Sequence, residues 1–140
     1  FKENKITLSN YTLAKERTDD FSNKDHLESE YFENINNIRE NIKLFKDLTL
    51  LEGSFKDVLQ DFDKPIKILH LDCDLFESYK VCLSKLYDNV VPGGTIIFDE
   101  YYSYKYPGPR TFIDYFFADK QGYFEKYMTD DFERWAFVKE

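Results

Sequence analysis

The spacing of apolar positions along the chain changes character several times, and each change predicts an element. From Asn23 onward, Leu27, Tyr31, Ile35, Ile38, Ile42 and Phe45 recur at steps of three and four. That period sets one apolar face on an α-helix, with Ser22 or Asn23 placed to cap it. Residues 1–22 before it show neither alternation nor a helical stripe, and read as a loop or arm. LTLLEG (48–53) predicts a short strand stopping at Gly53, and SFKDVLQDF after it a brief helix with Phe55, Val58 and Leu59 turned inward. Beyond Pro65, IKILHLD (66–72) is a near-continuous apolar run, the pattern of a strand buried on both faces. SYKVCLSKLYDNV then places Tyr79, Cys82, Leu83, Leu86 and Val90 on one side of a helix. PGG (92–94) marks a turn, and TIIFDEYY opens as a second buried strand. A loop rich in Tyr and Pro leads to a helix at TFIDYFFADK. The final FEKYMTDDFERWAFVKE offers one or two further strands, WAFVK being the better patterned.

Strands alternating with helices imply an α/β fold: a mostly parallel sheet with flanking helices as crossovers. In such sheets chemistry gathers at the carboxyl ends of the strands. Asp72 and Asp74 follow one such end, and Asp99 and Glu100 the next. Four carboxylates are therefore expected on one rim.

Composition narrows what that rim serves. A chain of 140 residues holds one domain with one core. A net charge of -8 argues against a nucleic-acid partner, because binding phosphates needs a basic face. No apolar run reaches the roughly 20 residues that cross a bilayer, so no membrane partner is expected either. Cys73 and Cys82 are too few for a disulfide framework and read as free buried thiols of a reducing cytoplasm. With only His26 and His70 in the chain, a histidine-rich zinc site is not expected.

Like charges packed at a rim cost stability unless a cation fills the gap, and oxygen ligands suit a hard divalent ion. The plainer alternative is that Asp72 and Asp74 cap the next helix while Asp99 and Glu100 are solvated. Among metal enzymes, a haloacid-dehalogenase-type phosphatase also opens with Asp-x-Asp. Here the second acidic pair follows Asp74 after only 25 residues, without room for that enzyme's other parts. A nucleotide-sugar glycosyltransferase also uses Asp-x-Asp at a strand end, and ILHLDCDLF suits it locally. Yet it would need a nucleotide-binding half upstream, and it leaves PGG-strand-DE unaccounted for.

Taken together, LLEGSFKDVL, ILHLDCDLFESYKVCLSKLYDNVVPGGTIIFDEYY and PGPRTFIDYFF resemble the macrocin O-methyltransferase family, well over about residues 48–118 and loosely on the flanks. The resemblance implies a Rossmann-like class I methyltransferase fold that uses S-adenosylmethionine and Mg²⁺. Its acceptor would be a small molecule with a sugar-like or natural-product hydroxyl. Carried over by position, it implies Asp72, Asp99 and Glu100 as metal ligands and Asp74 as general base. The family usually has two aspartates at the later pair, so Glu100 is a departure. Gly53, Ser54 and Phe55 match the strand end beside the cofactor's adenine, with Asp72 also on the cofactor side; an ordinary strand-to-helix turn is the alternative for these three. Arg110 would either orient the acceptor or pair with Asp114 at helical spacing. Tyr101 and Tyr102 would either wall the acceptor site or pack in the core.

A class I methyltransferase grips its cofactor through a glycine-rich loop after its first strand. The glycines here, Gly53, Gly93, Gly94, Gly108 and Gly122, form no G-x-G loop. The chain therefore reads as one partial methyltransferase-like domain over 1–140, with the first two strands of that fold missing. It would be the carboxyl-terminal portion of a longer enzyme, or a protein that keeps the fold without turnover. Oligomeric state is left open. The chain alone is expected to bind S-adenosylmethionine weakly or not at all, and micromolar binding in a calorimetric titration would refute this.

Overall fold

The computed structural model describes residues 39–41, 44, 47–129 and 132–140. The arm at 1–22, His26 and most of the helix expected from Asn23 lie outside these residues; residues 39–41, at its end, are helical. The described elements are α1 (Phe55–Val58), β1 (Ile66–Leu71), α2 (Phe76–Leu86), a 3₁₀ turn (Tyr87–Asn89), β2 (Val90–Phe98), α3 (Gly108–Phe116), β3 (Gly122–Thr129) and β4 (Phe132–Lys139).

The strands form one sheet in the order β1-β2-β4-β3. β1 and β2 are parallel, joined by α2 as a crossover. β2 with β4, and β4 with β3, are antiparallel. The sheet is mixed, which corrects the mostly parallel expectation. The physical reason lies in the last segment. No helix separates β3 from β4, and Thr129 pairs with Phe132, so the tight connection makes the two strands antiparallel. β4 then lies between β3 and β2, with Trp135 opposite Phe98 and Val138 opposite Thr95.

Helix α2 buries Tyr79, Cys82, Leu83 and Leu86, the stripe its spacing predicts, together with Phe76. Val90, expected on the same helical side, is instead the buried first residue of β2, because the helix ends at Leu86 and a 3₁₀ turn follows. Pro109 sits in the first turn of α3, where its missing N–H is not needed, and Phe112 and Ile113 turn inward. The two helices meet through Phe76 and Phe112, edge to face at 5.5 Å. Both cover the same face of the sheet. There Phe98 and Phe117 meet at 5.7 Å, and Phe117 and Phe137 at 4.2 Å. Burial of this aromatic cluster is a main stabilising contribution to the fold.

Three local expectations are corrected. Residues 48–53 form no strand; Leu48 and Leu51 stay half exposed, because the segment joins neither edge of the described sheet and a strand without a ladder leaves its backbone groups to water. β1 is not buried on both faces: Ile68 is 67% exposed and His70 is exposed, since α2 and α3 lie on the Leu71 side and no described helix covers the other. Phe55 is exposed rather than inward, whereas Val58 and Leu59 are half-buried.

The PGG turn is a bulge inside a continuous β2. Ile66 pairs with Val90 and Ile68 with Thr95, so two steps on one strand answer five on the other. Gly93 takes the surplus at φ +70, and Lys67 Nζ donates to its carbonyl at 2.7 Å. A side chain on Gly94 would come within 2.7 Å of the Val91 carbonyl oxygen. Among the described residues, no helix is long and apolar enough to cross a membrane.

Candidate functional site

The parallel pairing of Leu71 with Phe98 ends β1 and β2 at the same rim. One step further, Asp99 N–H donates to the Leu71 carbonyl at 3.0 Å, extending the ladder. Asp72 and Asp99 are thereby neighbours, with Glu100 beside them. Asp72, Asp99 and Glu100 each offer a carboxylate oxygen within 4.8 Å of the others. Asp72 is exposed, Asp99 half-buried and Glu100 only 3% exposed.

Glu100 is held from two sides. The Tyr79 hydroxyl lies 2.5 Å from Glu100 Oε2 and 2.9 Å from the Leu71 carbonyl oxygen. A single O–H donates to one acceptor at a time, and the ionised carboxylate is the stronger one. Asp74 N–H also donates to Glu100 Oε2, at 3.3 Å. Burial pushes the Glu100 carboxyl up to about 7, assisted by the charges of Asp99, Asp72 and Asp74 and opposed by the Tyr79 hydrogen bond. Tyr79 is in turn raised by burial and by that same bond.

Asp74 occupies an unusual backbone position. Its φ is +58, and Leu75 N–H closes around it onto the Cys73 carbonyl at 2.5 Å. Such a conformation costs a non-glycine residue about 1–3 kcal/mol and persists where the surroundings enforce it. Here the bond from its N–H to Glu100 is one such restraint. The Asp74 carboxyl is raised by partial burial and then by Asp72 and Asp99, against a lowering from Lys105. Between the two aspartates, Cys73 is half-buried and Cys82 buried, both free thiols as expected. Their side chains hydrogen-bond each other, which raises Cys73 and lowers Cys82.

The other expected residues fall elsewhere. Gly53 has φ +147, and Ser54 caps α1: its hydroxyl accepts from Asp57 N–H at 3.3 Å and donates to Asp57 Oδ2 at 2.6 Å. Gly53, Ser54 and Phe55 thus form a helix entrance, whatever else they contact. Arg110 pairs with Asp114 at 3.7 Å, the helical alternative, and lies over the Tyr102 ring at 4.1 Å. Tyr101 is buried, its hydroxyl donating to Asp114 at 2.6 Å, whereas Tyr102 is 45% exposed.

Two residues of the site were missed in the sequence. Tyr79 reads there as one more apolar member of the α2 stripe, and no local signal reveals its hydroxyl's target. Arg134 of β4 pairs with Asp99, Nε to Oδ1 at 2.9 Å. Only the β2–β4 register could have found it.

The donor set fits a hard divalent cation. All donors are carboxylate oxygens, which suit Mg²⁺ or Mn²⁺ over Zn²⁺ or Cu²⁺. Oxygens on one Mg²⁺ at about 2.1 Å lie at most about 4.2 Å apart, so the cluster needs only a small contraction. A cation there would also relieve the buried charge of Glu100.

Comparison with known proteins gives the same direction. The model of the Macrocin-O-methyltransferase (TylF) family matches residues 9–130, wider than the motifs alone. The solved structure of the O-methyltransferase NovP is similar at 26% identity with a TM-score of 0.57, over 73% of this chain and 43% of that one. The chain thus spans less than half the length of that methyltransferase. No curated protein sequence matches it significantly. With most of its length matched by the family model and the acidic motifs brought to one rim, this chain belongs to the macrocin O-methyltransferase family.

Proposed function

We propose that this chain carries the metal-holding and proton-accepting half of an S-adenosylmethionine-dependent O-methyltransferase acting on a hydroxyl of a sugar-like or natural-product acceptor. The observation that carries the reading is the convergence of Asp72, Asp99 and Glu100 within 4.8 Å, with Asp74 tied to Glu100 through its backbone. Family membership supports the reaction type.

In this reading Asp72, Asp99 and Glu100 hold Mg²⁺, and Asp74 is the general base. A divalent cation at such a site supplies Lewis acidity that lowers an acceptor hydroxyl's pKa. In the transfer an acceptor O–CH₃ bond forms as the donor's S–CH₃ bond breaks, and Asp74 takes the hydroxyl proton. Partial burial and the charge of Asp72 raise the Asp74 carboxyl, making it a better proton acceptor than a free carboxylate. The turn around Asp74 fixes the direction from which that carboxylate approaches. Gly53, Ser54 and Phe55 would hold the cofactor at its adenine end, and Asp72 would serve both cofactor and metal.

Calorimetric titration of the chain with Mn²⁺ or Mg²⁺ tests the metal part directly. We expect one ion per chain, an affinity loss of at least about 100-fold in Asp99→Asn and Asp72→Asn, and little change in Asp74→Asn; outer-sphere changes alone reach about 10–100-fold. Equal affinity in the parent and Asp99→Asn would remove the reading.

A further inference from the structure

The ion pair between Arg134 and Asp99 has no place in the reading above, yet it meets one of the three proposed ligands directly. Its origin is the sheet register. The β2–β4 ladder pairs Phe98 with Trp135, and one further antiparallel step sets Asp99 opposite Arg134. Directly opposed residues on antiparallel strands share a face, with Cβ atoms about 5 Å apart. The guanidinium reaches the carboxylate through Nε to Oδ1 at 2.9 Å, and each side chain is about one-third exposed, at 32% and 29%. One oxygen of Asp99 is engaged, and the carboxylate has a second.

Glu100 follows the same plan: Oε2 accepts from Tyr79 and from Asp74 N–H, and Oε1 is its other oxygen. A carboxylate with one oxygen anchored by the protein presents the other along a defined direction. Metal sites commonly orient their ligands in this way.

Resting on the metal reading proposed above, we infer that Arg134 is a positioning residue that anchors Asp99 Oδ1 and so presents Oδ2 to the divalent ion. Its positive charge works against this, because a cation near the site repels the ion. Two opposite results are therefore distinguishable. Anchoring makes loss of Arg134 weaken metal binding, and simple charge competition makes it strengthen binding.

Mn²⁺ titration of the 140-residue chain, followed by calorimetry and by the free-ion paramagnetic resonance signal, separates them. Arg134→Met keeps the apolar stem and removes every donor, and is expected to bind Mn²⁺ at least about tenfold more weakly. Arg134→Gln keeps a donor without the charge, and is expected to stay within about threefold of the parent or to bind more tightly. Unchanged or tighter binding in Arg134→Met overturns the inference while leaving the metal site in place. A parent that binds no Mn²⁺ removes the metal reading and this inference with it. Should Arg134→Met fail to fold, the parent decides the matter by nitrogen-edited NMR. The Arg134 Nε–H signal, assigned by its loss in Arg134→Gln, is expected to stay hydrogen-bonded and protected from exchange at saturating Mg²⁺. Its release to solvent on Mg²⁺ binding overturns the inference.

Discussion

Phe98→Ala is expected to cost the fold about 3–5 kcal/mol, the range for deleting a buried aromatic side chain. Phe98 has no exposed surface and joins α2, the residue that ends α3 and the antiparallel half of the sheet. Its ring meets Tyr79 at 6.4 Å, Tyr101 at 6.2 Å, Phe117 at 5.7 Å and Phe124 at 6.2 Å. Removing it leaves a cavity walled by rings that belong to different elements, so no single shift can close it. A domain's total stability is about 5–15 kcal/mol, so the loss would lower the melting temperature by about 10 °C or more. The damage would reach the site as well, because Asp99 and Glu100 follow Phe98 and Tyr79 packs on it. Tyr104→Ala is the control: its side chain is fully exposed, and a change within about 0.5 kcal/mol is expected. A Phe98→Ala loss below about 1 kcal/mol in urea unfolding would contradict the packing described.

The second large effect is a pH dependence with a defined sign. In the fold Glu100 releases its proton at about 7, against an ordinary value of 4.5. Between those values the folded chain holds a proton that the unfolded chain has lost. Stability from this group is thus present at low pH, declines as pH rises through the window, and levels off above about 7. The gap corresponds to about 3 kcal/mol. Other carboxylates titrate in the same range, so the difference between parent and Glu100→Gln isolates the group. The variant is neutral throughout and keeps an acceptor for the Tyr79 hydroxyl. It is expected to be the more stable protein at pH 8 in the absence of divalent metal, with the advantage shrinking toward pH 4.5. Saturating Mg²⁺ should stabilise the parent at pH 8 and leave Glu100→Gln less affected. Parallel pH profiles for the two proteins would rule out the buried charge as the cause.

Glu100 also shows what its extra methylene does. Compared with an aspartate at this position, the longer arm of Glu100 carries Oε2 to the Tyr79 hydroxyl and to the Asp74 backbone at once. One side chain thereby ties a proposed ligand to the proposed base.

Much of this was legible in the sequence. The three- and four-residue spacing of Tyr79, Leu83 and Leu86 specifies the buried face of α2, because helical geometry repeats whatever the rest of the chain does. The apolar runs ending at Asp72 and Asp99 specify two strands, and the helix between them makes those strands parallel. Adjacent parallel strands end on the same side, so the acidic rim follows from local pattern and connectivity. Where periodicity has no long-range partner to consult, it misleads. LTLLEG looks like a strand but finds no ladder, and PGG looks like a turn although the ladder continues past it. IKILHLD looks doubly buried, yet whether both faces are covered depends on which elements pack there.

The sequence by itself determined the helical stripe, the two parallel strands and the meeting of Asp72 with Asp99 and Glu100, since each depends on contacts within or between consecutive elements. Only the tertiary structure decided that β4 inserts beside β2, that Arg134 therefore stands opposite Asp99, and that the Tyr79 hydroxyl points to Glu100. Those contacts join residues 35 and 21 positions apart through sheet register and core packing. Register is chosen by the summed fit of the whole buried face, and no local period records it.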